Sequence, residues 1–154
     1  MNSRHNRSSK GEIAEELFRN GYNCAQAVAV AFCEEINMDE KTAARLSIGF
    51  GGGLGRLREV CGTVSGMAFV ISAIYGDDGR EAVYKKIQAV AKKFEEENKS
   101  IVCRELLGLS RNTPANPVPE ARTQEYYKKR PCPMLVHMAA DILDDFLKAE
   151  SNKS

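Results

Sequence analysis

Five cysteines, Cys24, Cys33, Cys61, Cys103 and Cys132, are the residues of this chain best suited to chemistry. A thiolate attacks disulfides, is oxidised, or binds a soft metal, and it forms where a positive potential stabilises it. Four of the five occupy such a place. Cys24 follows Asn23, an N-cap residue, and Cys61 stands just before an apolar helical run. Cys103 lies shortly after Ser100, a second cap candidate, and Cys132 sits between Pro131 and Pro133, which mark a helix's first turn. Helix N-termini offer unpaired N–H groups and the positive end of the macrodipole, so thiol pKa values below the ordinary value of about 8.5 are expected. Arg104, and Arg56 and Arg58 ahead of Cys61, would add to this. Cys61 is the expected reactive member, because it alone combines a glycine-rich approach with a central helix start. Cys33 falls on the side of its helix opposite Cys24, beside Ala29 and Ile36, and reads as packing.

The four cysteines are several tens of residues apart, and none belongs to a CxxC or CxxH loop. Any site they make is therefore tertiary. Two chemistries fit the set. In the first, one thiolate reacts and another resolves it as a disulfide, as in a thiol–disulfide oxidoreductase. In the second, Cys24, Cys61, Cys103 and Cys132 hold zinc or an iron–sulfur cluster.

The glycine run Gly49-Phe-Gly-Gly-Gly-Leu-Gly55 precedes Cys61. A nucleotide reading fails on context, since no strand precedes the run and neither GxGxxG with its acidic residue nor GxxxxGK[ST] is present. Gly51, Gly52 and Gly53 instead allow the backbone to approach the Cys61 helix end, where their amides can line a pocket for a small anion or substrate. Gly62, Ser65 and Gly66, in the first turns after Cys61, complete the candidate binding residues. His137 lies five residues after Cys132, and a helix-surface histidine is the simpler reading than a Cys–His pair. His5 falls in a polar N-terminal stretch and is set aside.

The elements that must position these residues read as helices throughout. Apolar periodicity predicts helices from Gly11 to Asn20, from Cys24 to Ile36, from Asp39 to about Ile48 with Ala43, Ala44 and Leu46 inward, and over 80–98. A nearly all-apolar helix from about Thr63 to Tyr75 is the expected buried centre. Ser100 is read as capping a short helix to Leu107, residues 109–122 as a proline-bearing surface loop, and the last helix as running from Pro131 to about Lys148. No segment alternates with period two. The expectation is an all-α, single-domain bundle of roughly six or seven helices over residues 11–150, after a disordered tail over 1–10, with a glycine-rich loop before the buried central helix.

Composition bounds the function. Hydrophobic residues make up 43% of the 154, enough for one core without disulfide staples. With 22 Lys+Arg against 21 Asp+Glu, a net charge of +1 gives no reason to expect a nucleic-acid partner. No apolar run reaches the roughly 20 residues of a membrane span. The polar N-terminus lacks a secretory signal's apolar core, so the cytoplasm is expected, where thiols stay reduced. The partner implied is a small-molecule or protein redox partner, with the oligomeric state open.

The runs NCAQAVAVAF at Cys24, FGGGLGRLREVCGTVSGM at Cys61, VCRELLG at Cys103 and CPMLVHMAADIL at Cys132 resemble the redox-active proteins named for a C-GCAxxG-C-C cysteine pattern. The likeness runs from about residue 12 to residue 147. It implies that Cys24, Cys61, Cys103 and Cys132 are the characteristic four, with Cys33 outside the pattern. The cysteine–glycine segment maps onto Cys61-Gly-Thr-Val-Ser-Gly66, with Thr63 where the family usually has alanine. The resemblance implies cysteine-based redox activity without assigning a substrate.

Overall fold

Side-chain caps start half of the helices in a computed structural model that describes residues 8–153. Ser9 accepts from the Glu12 N–H at the head of α1 (Lys10–Arg19), and Asn23 and Gln26 form a reciprocal capping box on α2 (Cys24–Ala31). Asp39 caps α3 (Glu40–Ser47), and Thr123 caps α7 (Gln124–Lys129). The remaining elements are α4 (Gly62–Tyr75), α5 (Arg80–Asn98), α6 (Cys103–Leu106) and α8 (Cys132–Ser151). Six of these eight helices have seven or more residues, and no strand occurs among the described residues. The fold is all-α. His5 and the rest of residues 1–7 lie outside the described residues. Ser9 caps α1 and Lys10 opens it, and the Lys10 ammonium binds the Ala31 carbonyl and Glu35.

Helix α2 sits between α1, α3, α4 and α8, and α4 in turn packs on α2, α5 and α8. Every α2 residue from Ala25 to Ala31 is buried, so this short helix shares the centre with α4. Small side chains let the two approach: a β-carbon on Gly66 would stand 2.9 Å from Val28 Cβ and 3.0 Å from the Ala25 carbonyl. Around that crossing Phe18, Phe32, Phe94, Met67, Ile71 and Leu143 are fully buried. Truncating a buried phenylalanine of this kind costs about 3–5 kcal/mol.

Four local expectations are corrected. α2 ends at Ala31 rather than Ile36, because from Phe32 (φ −108°, ψ 18°) the amides turn to carbonyls three residues back, Phe32 to Ala29 at 3.3 Å and Cys33 to Val30 at 3.1 Å. The turns that follow close at Asn37, a residue that tolerates its left-handed φ of 53°. Leu46 is half exposed, since the eight-residue α3 turns Ala43, Ala44 and Ser47 inward. Ser100 does not cap α6; its hydroxyl accepts from the Val102 N–H at 2.9 Å and donates to Glu105, and Val102 is the N-cap. Helix α7 lies between the expected 109–122 loop and Pro131, where no helix was expected.

Candidate functional site

The glycine run makes a coil of unusual hand. Gly52, Gly53, Leu54, Gly55 and Arg56 are consecutive residues with φ between 57° and 73°, and Arg58 follows at 64°. Left-handed backbone costs a non-glycine residue about 1–2 kcal/mol, so Leu54, Arg56 and Arg58 are strained. Backbone bonds hold them: Gly55 N–H to the Gly49 carbonyl at 2.8 Å, Arg58 to Gly52 at 3.1 Å, and Glu59 to Gly53 at 2.9 Å. The coil turns Arg56 and Arg58 back over the start of α4.

An isolated antiparallel bridge between Val60 and Val102 follows. The Cys61 N–H donates to the Ile101 carbonyl at 2.7 Å, and the Cys103 N–H to the Glu59 carbonyl at 2.6 Å. Cys61 and Cys103 thus lie one residue beyond the two bridge partners, and both turn to the face opposite the valines. Val60 is 39% exposed, whereas Cys61 is 5% and Cys103 7% exposed.

All four cysteines stand at helix starts. Cys61 is the N-cap of α4, and Cys24, Cys103 and Cys132 are the first residues of α2, α6 and α8. Their four segments meet around one cavity of about 390 Å³. The Cys24 sulfur lies where a Gly62 β-carbon would come within 2.4 Å, so only glycine fits beside it. Gly51 and Gly52 also line the cavity, Gly51 against the Asn23 side chain and Gly52 under Arg56. Gly53 backs the Cys103 β-carbon and Gly66 serves the α2–α4 crossing; neither, nor Ser65, is among the lining residues. Cys33 packs beside Val30, Ala43 and Ala44, away from the cavity. His137 is also remote, its Nδ1 2.8 Å from Glu15 and its Nε2 3.3 Å from Asp141.

The expectation of low thiol pKa values is overturned at Cys24, Cys61 and Cys132. Burial pushes the Cys61 thiol up to about 12, with the neighbouring Cys24 thiolate adding to the rise. Burial likewise pushes Cys132 up to about 11 and raises Cys24. Backbone amides do reach the Cys24 sulfur, Ala25 from the head of α2 and Gly52 from the glycine coil, but desolvation of the charged form outweighs them. Cys103 differs in its partner: Arg58 Nη1 points at its sulfur from 3.7 Å.

Sequence reasoning missed several participants. The Thr63 hydroxyl, fully buried, lies 3.1 Å from the Cys61 sulfur. Tyr126 of α7 lines the cavity with Cys132, and burial pushes its phenol up to about 12. Pro117, Pro119 and Glu120 carry the 109–123 segment across the cavity. Arg122 pins the segment by donating to the Phe18 and Tyr22 carbonyls at 2.7 and 3.0 Å while stacking on the Phe18 ring. No local signal in 109–130 distinguished these residues from a surface loop.

Among the described residues no three His, Cys, Asp or Glu side chains are grouped to hold a metal ion. No helix among those residues is long and apolar enough to cross a membrane.

Fold and site together define a helical protein with a cysteine-lined cavity built from helix N-termini. Residues 22–146 match the family described as "Putative redox-active protein (C_GCAxxG_C_C)", and the chain belongs to that family. No curated protein and no solved structure matches it.

Proposed function

We propose that this is a thiol–disulfide redox protein in which Cys103 attacks and Cys24 resolves. The observation that carries the reading is the convergence of four thiols from four separate helix starts on one cavity. Cys103 is assigned the attack because the Arg58 guanidinium points at its sulfur from 3.7 Å. Cys24 lies within electrostatic reach of the other three, since its charge acts on Cys61 and Cys132 and it feels that of Cys103.

In the step proposed, the Cys103 thiolate attacks one sulfur of a substrate disulfide RSSR, forming the mixed disulfide Cys103–SR and releasing RS⁻. The Cys24 thiol then loses its proton, attacks Cys103 and expels the second RS⁻. The proton from Cys24 and one from solvent convert both leaving groups to RSH. Two protein thiols are oxidised and one substrate disulfide is reduced. Such a protein suits a reducing compartment such as the cytoplasm, where the thiols are regenerated.

Peptide mapping of oxidised protein tests this. Treatment with a small disulfide should yield a Cys24–Cys103 cross-link that dithiothreitol reverses, and Cys103→Ser should stop at unmodified Cys24. If all five cysteines stay alkylatable after oxidant, the reading fails.

A further inference from the structure

Three guanidinium groups, those of Arg56, Arg58 and Arg130, converge on the cavity wall, and one carboxylate, Glu120, faces them. Glu120 comes from the 109–123 segment. Its Oε1 contacts Arg130 Nη2 and lies 3.6 Å from Arg56 Nη2, beyond hydrogen-bond length. Arg56 Nη1 is buried and has no hydrogen-bond partner. Burial and the charges of Arg58 and Arg130 all disfavour the Arg56 cation. A buried guanidinium nitrogen without an acceptor, in a group of like charges, is a group built for an anion that the chain itself does not supply. The other nearby arginine is not free for this, because both terminal nitrogens of Arg122 bond main-chain carbonyls.

We propose that the substrate is anionic, and that its negative group docks between Arg56 and Arg130 in the place Glu120 holds. The inference rests on the thiol-redox reading for the word substrate, whereas the anion subsite stands on the arginines alone. Glu120 is an internal surrogate: it partly neutralises the pair at rest and is displaced, with its exposed segment, when a stronger bidentate anion arrives. Arg58 borders the Arg56 position and the Cys103 sulfur, so an anion held there brings its attached disulfide to the attacking thiol. The left-handed coil explains the geometry. A β-carbon on Gly52 would lie 2.6 Å from Arg56 Cγ, so glycine at this place lets Arg56 fold back into the cavity.

The test compares three small disulfides of similar length on reduced protein: dianionic 3,3′-dithiodipropionate, neutral 2-hydroxyethyl disulfide and dicationic cystamine. Dithiodipropionate should oxidise the protein about tenfold or more faster than cystamine, with a preference that shrinks at high salt. Arg56→Gln and Arg130→Gln should each abolish most of that preference, and Glu120→Gln should enlarge it. Suberate, the carbon analogue without sulfur, reads the subsite separately. It should raise the Tm of the wild type with concentration, raise that of Glu120→Gln more, and leave both arginine variants unmoved. Equal rates for the three disulfides, or a preference for cystamine, would overturn the proposal. Should none of them oxidise the protein, the redox reading falls. A suberate shift lost in the arginine variants then still supports the subsite, and no shift in any variant sinks it.

Discussion

The Thr63 hydroxyl lies 3.1 Å from the Cys61 sulfur, in the first turn of the helix that Cys61 caps. The side chain and its amide both favour the thiolate of Cys61, yet burial still holds the thiol up at about 12. Thr63→Ala should therefore slow Cys61 alkylation severalfold at a given alkaline pH and cost about 1 kcal/mol of stability, the worth of a buried hydrogen bond. Thr63→Ser should keep most of both. Cysteine-resolved mass spectrometry after timed iodoacetamide exposure, with urea melts, checks it.

Raised thiol pKa values also set a pH dependence. Unfolded cysteines ionise near 8.5, whereas Cys132 and Cys61 keep their protons to about 11 and about 12 in the fold. Between those limits the folded chain binds more protons than the unfolded one, so stability is full below about pH 8.5 and falls as pH rises toward 12. At pH 8 roughly a thousandth of Cys132 is thiolate, and its alkylation rate should climb about tenfold per pH unit well past 9. A rate plateau near pH 9 would contradict the burial that defines the site.

Gly62 and Gly66 have different jobs within one turn of α4. A methyl at Gly62 meets the Cys24 sulfur at 2.4 Å and the Phe50 carbonyl at 3.0 Å. Gly62→Ala should cost about 1–3 kcal/mol by overpacking and also abolish Cys24 cross-linking. Gly66→Ala presses on Val28 and Ala25 at the helix crossing. It should destabilise less, because alanine returns about 1 kcal/mol of helix propensity, and should leave the cross-link intact in the folded fraction. Paired melts and peptide maps of the two variants separate site from scaffold.

Asn23 ties the same cysteine to the loop. Its Oδ1 accepts from the Gln26 N–H at 2.9 Å, and its Nδ2 donates to the Ile48 carbonyl at 2.9 Å. Asn23→Ala should lose about 0.5–2 kcal/mol as a missing N-cap. Asn23→Asp keeps the cap but not the Ile48 bond, so any extra drop in Cys24–Cys103 cross-linking in that variant measures the loop tether. Cys33→Ala, away from the cavity, should leave the cross-link yield unchanged.

Much of the helical frame was legible in the residues. The caps Asn23 and Asp39, the apolar stripe over 80–98 and the prolines around Cys132 act locally, within one or two turns, so their positions foretold α2, α3, α5 and α8. Where the backbone turned early or a side chain took another partner, the helical pattern misled. The turns after Phe32 ended α2 early, and Ser100 spent its hydroxyl on Val102 and Glu105.

The sequence by itself marked the helix starts at Cys24 and Cys132, because the Asn23 cap and the prolines act on their immediate neighbours. Only the tertiary structure decided what that placement means for their charge. Packing four helix starts together removes water from the sulfurs, and desolvation then outweighs the favourable helix ends, lifting Cys24, Cys61 and Cys132 above the ordinary thiol range. The pairing of Arg58 with Cys103, and of Arg56 with Glu120, joins segments far apart along the chain. Electrostatics depends on distance through space and on burial, neither of which the order of residues along the chain records.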